Sequence, residues 1–539
     1  MTVLDLVRPR VTSVQAVQDS LRAGREIALL DLREEGPFAA AHPLFAVNLP
    51  LGRIEERIAA LVPRRDAPVV VYDDGEGRVA RALPVLAALG YGNVSVLEGG
   101  LAGWRAAGGE IFIDVNVPSK AFGELVEHVR HTPSIPAREL NERLERGDDL
   151  VVLDARRFSE YNTMSIPAAR SVPGAELALR VRDIAPSPET TVVVNCAGRT
   201  RSIIGAQSLV NAGIPNPVFA LRNGTIGWTL AGLELDHGAT RRAGAPSSAK
   251  LAQARAVARS LARRTGVRVI DAEGLDALAA DPRRSLYRLD VRSPEEYEAG
   301  HLAGFRSAPG GQLVQATDEW AGVRHGTIVL TDDDGVRARM TAHWLRQLGW
   351  REVYVLDDRA DLPRARGPEP VVLATALPDV ETISARELSN ALHGVDAPLV
   401  IDLATSPVFR KGHVPGAVFA IRGDLHKHGR LKGADIVLTS PDSISACYAA
   451  PDLRRQGAHV RVLAGGTKAW QAAGLPLAVG LDEHVALSRP DDVYKRPYEG
   501  TDNAAAAMQA YLDWEFGLVG QLERDGTHGF HVLEEEQDL

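Results

Sequence analysis

One pattern runs four times through the 539 residues, and no other feature restricts the fold as much. Each copy opens on an apolar run ending in aspartate: Ala28-Leu29-Leu30-Asp31, Val151-Val152-Leu153-Asp154, Leu289-Asp290 and Val400-Ile401-Asp402. In the first three an arginine follows two places on, as Arg33, Arg156 and Arg292. A second apolar run then meets a loop, at Asp73, Cys196, Asp332 and Ser440. The step between these landmarks is 42 residues in three copies and 38 in the fourth. A Gly-Gly-x-x-x-Trp closes the first and fourth copies, at Gly99 to Trp104 and Gly465 to Trp470. The second ends Asn223-Gly224-Thr225-Ile226-Gly227-Trp228, and in the third the closing pair has decayed to Asp357-Asp358.

Short apolar strands alternating with helical segments predict an α/β fold, each copy a central, mainly parallel sheet flanked by helices. Domains are expected at 1–115, 130–240, 265–362 and 380–480, joined by linkers at 113–135, 240–266 and 360–380. A C-terminal helical extension, 481–539, follows; Asn503 to Gly520 reads as an amphipathic helix that packs against a neighbouring domain. Sites in such sheets lie outside the carboxyl ends of the strands, which is where the four loops fall.

Composition removes several classes. A net charge of −9 argues against nucleic-acid binding as the main business. Met1 to Arg10 lacks an apolar signal core, and no run approaches the roughly 18 apolar residues of a membrane span. Cys196 and Cys447 are the two cysteines, so neither a disulfide framework nor a multi-cysteine zinc site is expected, and a reducing cytoplasm is the natural setting. No ligand cluster or phosphate-binding fingerprint implies a metal or organic cofactor.

The chemistry concentrates in Val192-Val193-Val194-Asn195-Cys196-Ala197-Gly198-Arg199-Thr200-Arg201-Ser202. A β-branched strand ends at a thiol, and Ile203 to Val210 reads as the following helix. Loop amides and a helix N-terminus favour anions. Cys196 is therefore expected to be a nucleophile with a depressed pKa, curled around by the backbone of Ala197, Gly198, Arg199, Thr200, Arg201 and Ser202. Gly198 is read as permitting a left-handed turn. Arg199 and Arg201 are read as grips for a sulfonate or carboxylate, with Arg180 and Arg182 adding positive potential.

The stretch Asp290-x-Arg292-x-x-x-Glu296-Tyr297-x-x-Gly300-His301-Leu302-x-Gly304, the Cys196 loop and the Gly-Gly-x-x-x-Trp closings resemble the rhodanese (sulfurtransferase) family, over residues from about 11 to 480. The resemblance implies four tandem rhodanese-like domains and sulfur transfer through a Cys196 persulfide. The donor would be a small anion, thiosulfate or a low-molecular-weight persulfide, and the acceptor a thiol or cyanide. Asp154 and Arg156 would form a structural pair under the loop. Asp73, Asp332 and Ser440 stand at the cysteine position of the other copies, which are expected to be inactive and to serve architecture or the docking of protein partners. Where the family reads Gly-His-Ile/Leu, the second copy has Thr163-Met164-Ser165-Ile166, so Met164 and Ser165 are expected to shape an altered pocket wall.

Two other functions compete. One is a non-catalytic sulfur-binding scaffold. The other is a cysteine-based phosphatase or arsenate reductase, whose loop carries Cys-x5-Arg; only four residues separate Cys196 from Arg201, a smaller cradle suited to one sulfur atom. Cys447 reads as a buried structural thiol, with a resolving or relay cysteine as the alternative. His42, His301 and His413 read as packing or capping groups.

Overall fold

The computed structural model describes residues 9–357 and 362–534. Met1 to Arg8, Asp358 of the third closing pair, part of the 360–380 linker and the last five residues of the C-terminal extension lie outside the described residues. Four five-stranded sheets follow one another along the chain, and all share one strand order. In the second unit the order is Ser134–Ile135, Val218–Leu221, Thr191–Asn195, Leu150–Asp154 and Arg170–Ser171, every pair parallel. Thr191–Asn195 is the middle strand and is buried along its whole length, which is why it reads as a continuous β-branched run instead of alternating.

The repeated residues have repeated jobs. Asp31, Asp154 and Asp290 each accept from the arginine two places on, with Arg156 Nε 2.9 Å and Nη2 2.7 Å from Asp154. The same guanidinium then donates to a carbonyl eight residues down the chain, Ala41, Met164 or Gly300. These are buried, bidentate pairs reinforced by a backbone carbonyl, the arrangement in which a buried charge is tolerable. His42, His301 and His413 stack on Phe38, Tyr297 and Phe409 at 3.7–4.0 Å between centroids, so they pack as expected. Ser165 takes that place in the second unit.

The closing glycine has a steric cause. A Cβ on Gly100, Gly224 or Gly466 would lie 2.1–2.6 Å from the carbonyl oxygen of Asp73, Cys196 or Ser440, and all three glycines have φ between 54° and 64°. The loop at the cysteine position and the closing helix thus touch backbone to backbone.

The first two linkers are largely helical. Val117–Arg130 and Ser248–Arg264 are helices, and the extension contributes Ala505–Phe516 and Leu518–Asp525. The first and fourth units meet through Arg422, bidentate on Glu55 at 2.8 Å, and Ser445 on Glu56. Ser285 and Tyr287 of the third unit bond Glu26 and the Leu61 carbonyl of the first. Among the described residues, no helix is long and apolar enough to cross a membrane.

Candidate active site

Cys196 stands at the carboxyl end of the middle strand, four residues before the helix Thr200–Asn211. Its carbonyl accepts from Thr225 N–H at 2.9 Å, and that of Ala197 from Ile226 N–H at 3.0 Å and the Thr225 hydroxyl. The closing helix Gly224–Leu230 thereby ties down the loop's carbonyls. The thiol donates to Ser202 Oγ at 3.5 Å, and that hydroxyl donates to the Arg199 carbonyl at 2.8 Å. The Ser202 N–H also bonds the sulfur.

Two expectations need correction. The Cys196 thiol is pushed up, not depressed: burial dominates, and Arg201 with the Ser202 hydroxyl and N–H only partly offset it. The side chain is 2% exposed, because a segment from the far end of the chain covers it. Gly198, in turn, is not left-handed. Its small size matters instead, since a Cβ there would sit 3.1 Å from Tyr511 Cε1 and 3.3 Å from Glu515 Oε2.

Both loop arginines reach the site but already hold carboxylates. Arg199 donates to Glu124 at 2.7 and 2.8 Å, to Glu127, and to Asn223 at 3.2 Å, and its guanidinium lies 4.2 Å from the Phe516 ring centre. Arg201 is bidentate on Glu160, both contacts 2.8 Å. To grip a substrate anion bidentately through the same nitrogens, either would have to exchange these partners. Arg180 is bound to Glu176 and Arg182 to the Ala212 carbonyl. Thr200 forms the first turn of the helix, pressed against the linker helix; a Cβ on Gly123 would come within 3.1 Å of its Cα.

The covering segment was not legible as part of a site. Met508, Tyr511, Leu512 and Glu515 form the buried stripe of Ala505–Phe516. This helix packs on the closing helix Gly224–Leu230 and on Val117–Arg130. Lys120 of the linker, 1% exposed, pairs with Asp114 at 2.6 Å, and its ammonium lies 5.0–5.5 Å from the ring centres of Tyr498, Tyr511 and Trp514. One sequence signal existed: Glu515 is a charged residue at a core position of the stripe. Beside the loop, a cavity of about 410 Å³ separates the second unit from the extension; Met164, Thr225, Tyr498 and Met508 line it, whereas Ser165 is fully buried and bonds Asp236.

The loops of the first and third units are filled by their own carboxyl groups. Asp73 accepts from Gly75 and Val79 N–H at 3.1 Å, and Asp332 from Gly335 and Ala338 N–H at 3.0 and 2.9 Å. Ser440 is fully buried, its hydroxyl without a partner. Cys447 lies in the fourth unit's own core with Leu438, Ala450 and Leu453. Among the described residues, no group of three or more His, Cys, Asp or Glu is placed to hold a metal ion.

A thiol at a strand's carboxyl end, with a helix N-terminus behind it, stands where sites of α/β domains lie. Residues 13–107, 136–231, 271–358 and 384–473 match the rhodanese-like domain model, so the chain belongs to the rhodanese family, four times over. A crystal structure of a thiosulfate sulfurtransferase from Pseudomonas aeruginosa superposes with a TM-score of 0.94 at 55% identity, covering 97% of this chain and 100% of that one. A curated thiosulfate sulfurtransferase of Pseudomonas aeruginosa is 32% identical over 171 residues, 28% of this chain and 62% of that protein. One from Azotobacter vinelandii is 25% identical over 216 residues, 33% and 79% of the two chains.

Proposed function

We propose that the chain is a sulfurtransferase of the thiosulfate sulfurtransferase type, working through a persulfide on Cys196. One observation carries the reading: of four loops built alike, the second alone places a thiol where the first and third hold a carboxylate against their own amides. Relatives named for this activity support it.

In the first half-reaction the thiol gives its proton to solvent and the thiolate attacks the outer sulfur of thiosulfate or of a small persulfide. The new sulfur–sulfur bond forms as the old one breaks, and its electron pair departs with sulfite or a thiolate. In the second, cyanide or a thiolate acceptor attacks the outer persulfide sulfur and Cys196 leaves as thiolate. Ping-pong kinetics follow. The Ser202 N–H bonds the sulfur and Arg201 contributes charge; on this reading the amides from Ala197 to Arg201 serve the persulfide and the donor. The cysteine-less units are architectural on this reading, since Glu55, Glu56 and Ser445 are engaged in contacts between units.

Intact-mass analysis after incubation with thiosulfate tests it. A gain of one sulfur, about 32 Da, mapping to Cys196 and absent in Cys196→Ser is expected. Mass mapping to Cys447, or hydrolysis of an aryl phosphate without sulfur loading, would overturn it.

A further inference from the structure

A rhodanese site takes an anionic donor, yet both loop arginines are bound to carboxylates. With both guanidiniums paired, the covering segment is the next source of a side-chain donor to the oxyanion. The group that faces the loop is Glu515, 0% exposed, on a helix outside all four family-matched segments. Tyr511 donates to its Oε1 at 2.7 Å. Its Oε2 has no partner and lies 3.3 Å from where a side chain would begin on Gly198. A buried carboxylate so placed would repel thiosulfate; a carboxylic acid would offer it an O–H.

We propose that Glu515 is a specificity-determining residue of the Cys196 site: as a neutral acid it donates its Oε2–H to the anionic end of the sulfur donor. The assignment rests on the sulfurtransferase reading and deepens it. The groups around Glu515 fit the neutral form. Burial pushes its carboxyl up to about 8, and Glu124 on the linker helix pushes the same way. Lys120, the Tyr511 hydroxyl and Arg199 pull against this. Cys196 faces it across the loop, and Tyr498 and Asp114 complete the charged surroundings through Lys120. Lys120 is already held by Asp114 and Arg199 by two glutamates, so neither is free to compensate a second negative charge. Oxyanion recognition by a protonated carboxyl gives a definite pH signature: binding weakens tenfold per pH unit above the carboxyl's pKa.

The test is kcat/KM from pH 6.5 to 9.5 on the full chain, for wild type and Glu515→Gln. One donor is thiosulfate, and the other is the hydropersulfide of mercaptoethanol, which carries no oxyanion. The glutamine keeps a hydrogen-bond donor but cannot ionise. The wild-type to Glu515→Gln ratio for thiosulfate should be level up to about pH 8 and fall about tenfold by pH 9, while the ratio for the hydropersulfide, which has no oxyanion to accept the Oε2–H, stays level. A level ratio for thiosulfate, or the same bend with both donors, overturns the proposal. If Glu515→Gln does not fold, the wild-type profiles decide alone: a thiosulfate to hydropersulfide ratio that does not fall above pH 8 overturns it. Failure of the sulfurtransferase reading looks different, because neither donor would then load Cys196 in the wild type.

Discussion

Gly198→Ala isolates the coupling between the C-terminal helix and the thiol. The backbone of Gly198 is not left-handed, so alanine brings no conformational strain. Its methyl carbon would instead meet Tyr511 Cε1 at 3.1 Å and Glu515 Oε2 at 3.3 Å, both closer than ordinary contact. Overpacking of this order costs about 1–2 kcal/mol, a factor of roughly 5–30 in an equilibrium. The strain falls on the docked helix alone and is relieved when the helix lifts. Cys196 is 2% exposed when the helix is docked, so alkylation requires lifting, and its rate tracks the open population when closing is fast. The assay is iodoacetamide labelling followed by peptide mass, with Cys447 as internal reference because it is buried in a different unit. Cys196 labelling should rise about 5–30-fold while Cys447 labelling holds. An unchanged Cys196 rate, or both rates rising together, would refute the argument.

Lys120→Met removes one member of a buried ion pair and the cation among three rings; a loss of about 3 kcal/mol in denaturant unfolding is expected, with faster proteolysis near Tyr498. Arg201→Ala tests a linkage. Burial pushes Glu160 up, yet Arg201, with Arg156 and Arg157, holds its carboxyl down at about 2, below the ordinary 4.5. A depressed acid gives stability that is fully present above its unfolded pKa and lost as pH falls towards the folded one. Unfolding curves should therefore place Arg201→Ala about 2–3 kcal/mol below wild type at pH 7, with the gap narrowing below about pH 4.5. Asp73→Ala strips two loop amides of their acceptor and should cost about 1 kcal/mol in thermal unfolding while leaving sulfur loading of Cys196 unchanged.

The fold was legible because its landmarks are local or periodic. Asp154 and Arg156 are two residues apart, and Gly224 carries a steric demand that returns in Gly100 and Gly466. The thiol's position followed from the same register. Its electrostatics did not, because the deciding groups are remote in sequence: Arg199 finds Glu124 75 residues upstream, and the loop is covered by Tyr511 and Glu515. A count of nearby charges gave the wrong direction for Cys196, since burial by a distant segment outweighs the loop's own donors. Gly198 was read for its backbone when its missing side chain was what mattered.

Asp73 and Asp332 have a consequence beyond chemistry. Each hands its loop a tethered carboxyl group, so those units are permanently occupied by a ligand that never dissociates. Thiosulfate therefore cannot raise the melting temperature through the first or third unit, and that half of the repeat array keeps the same rigidity whether sulfur is abundant or scarce.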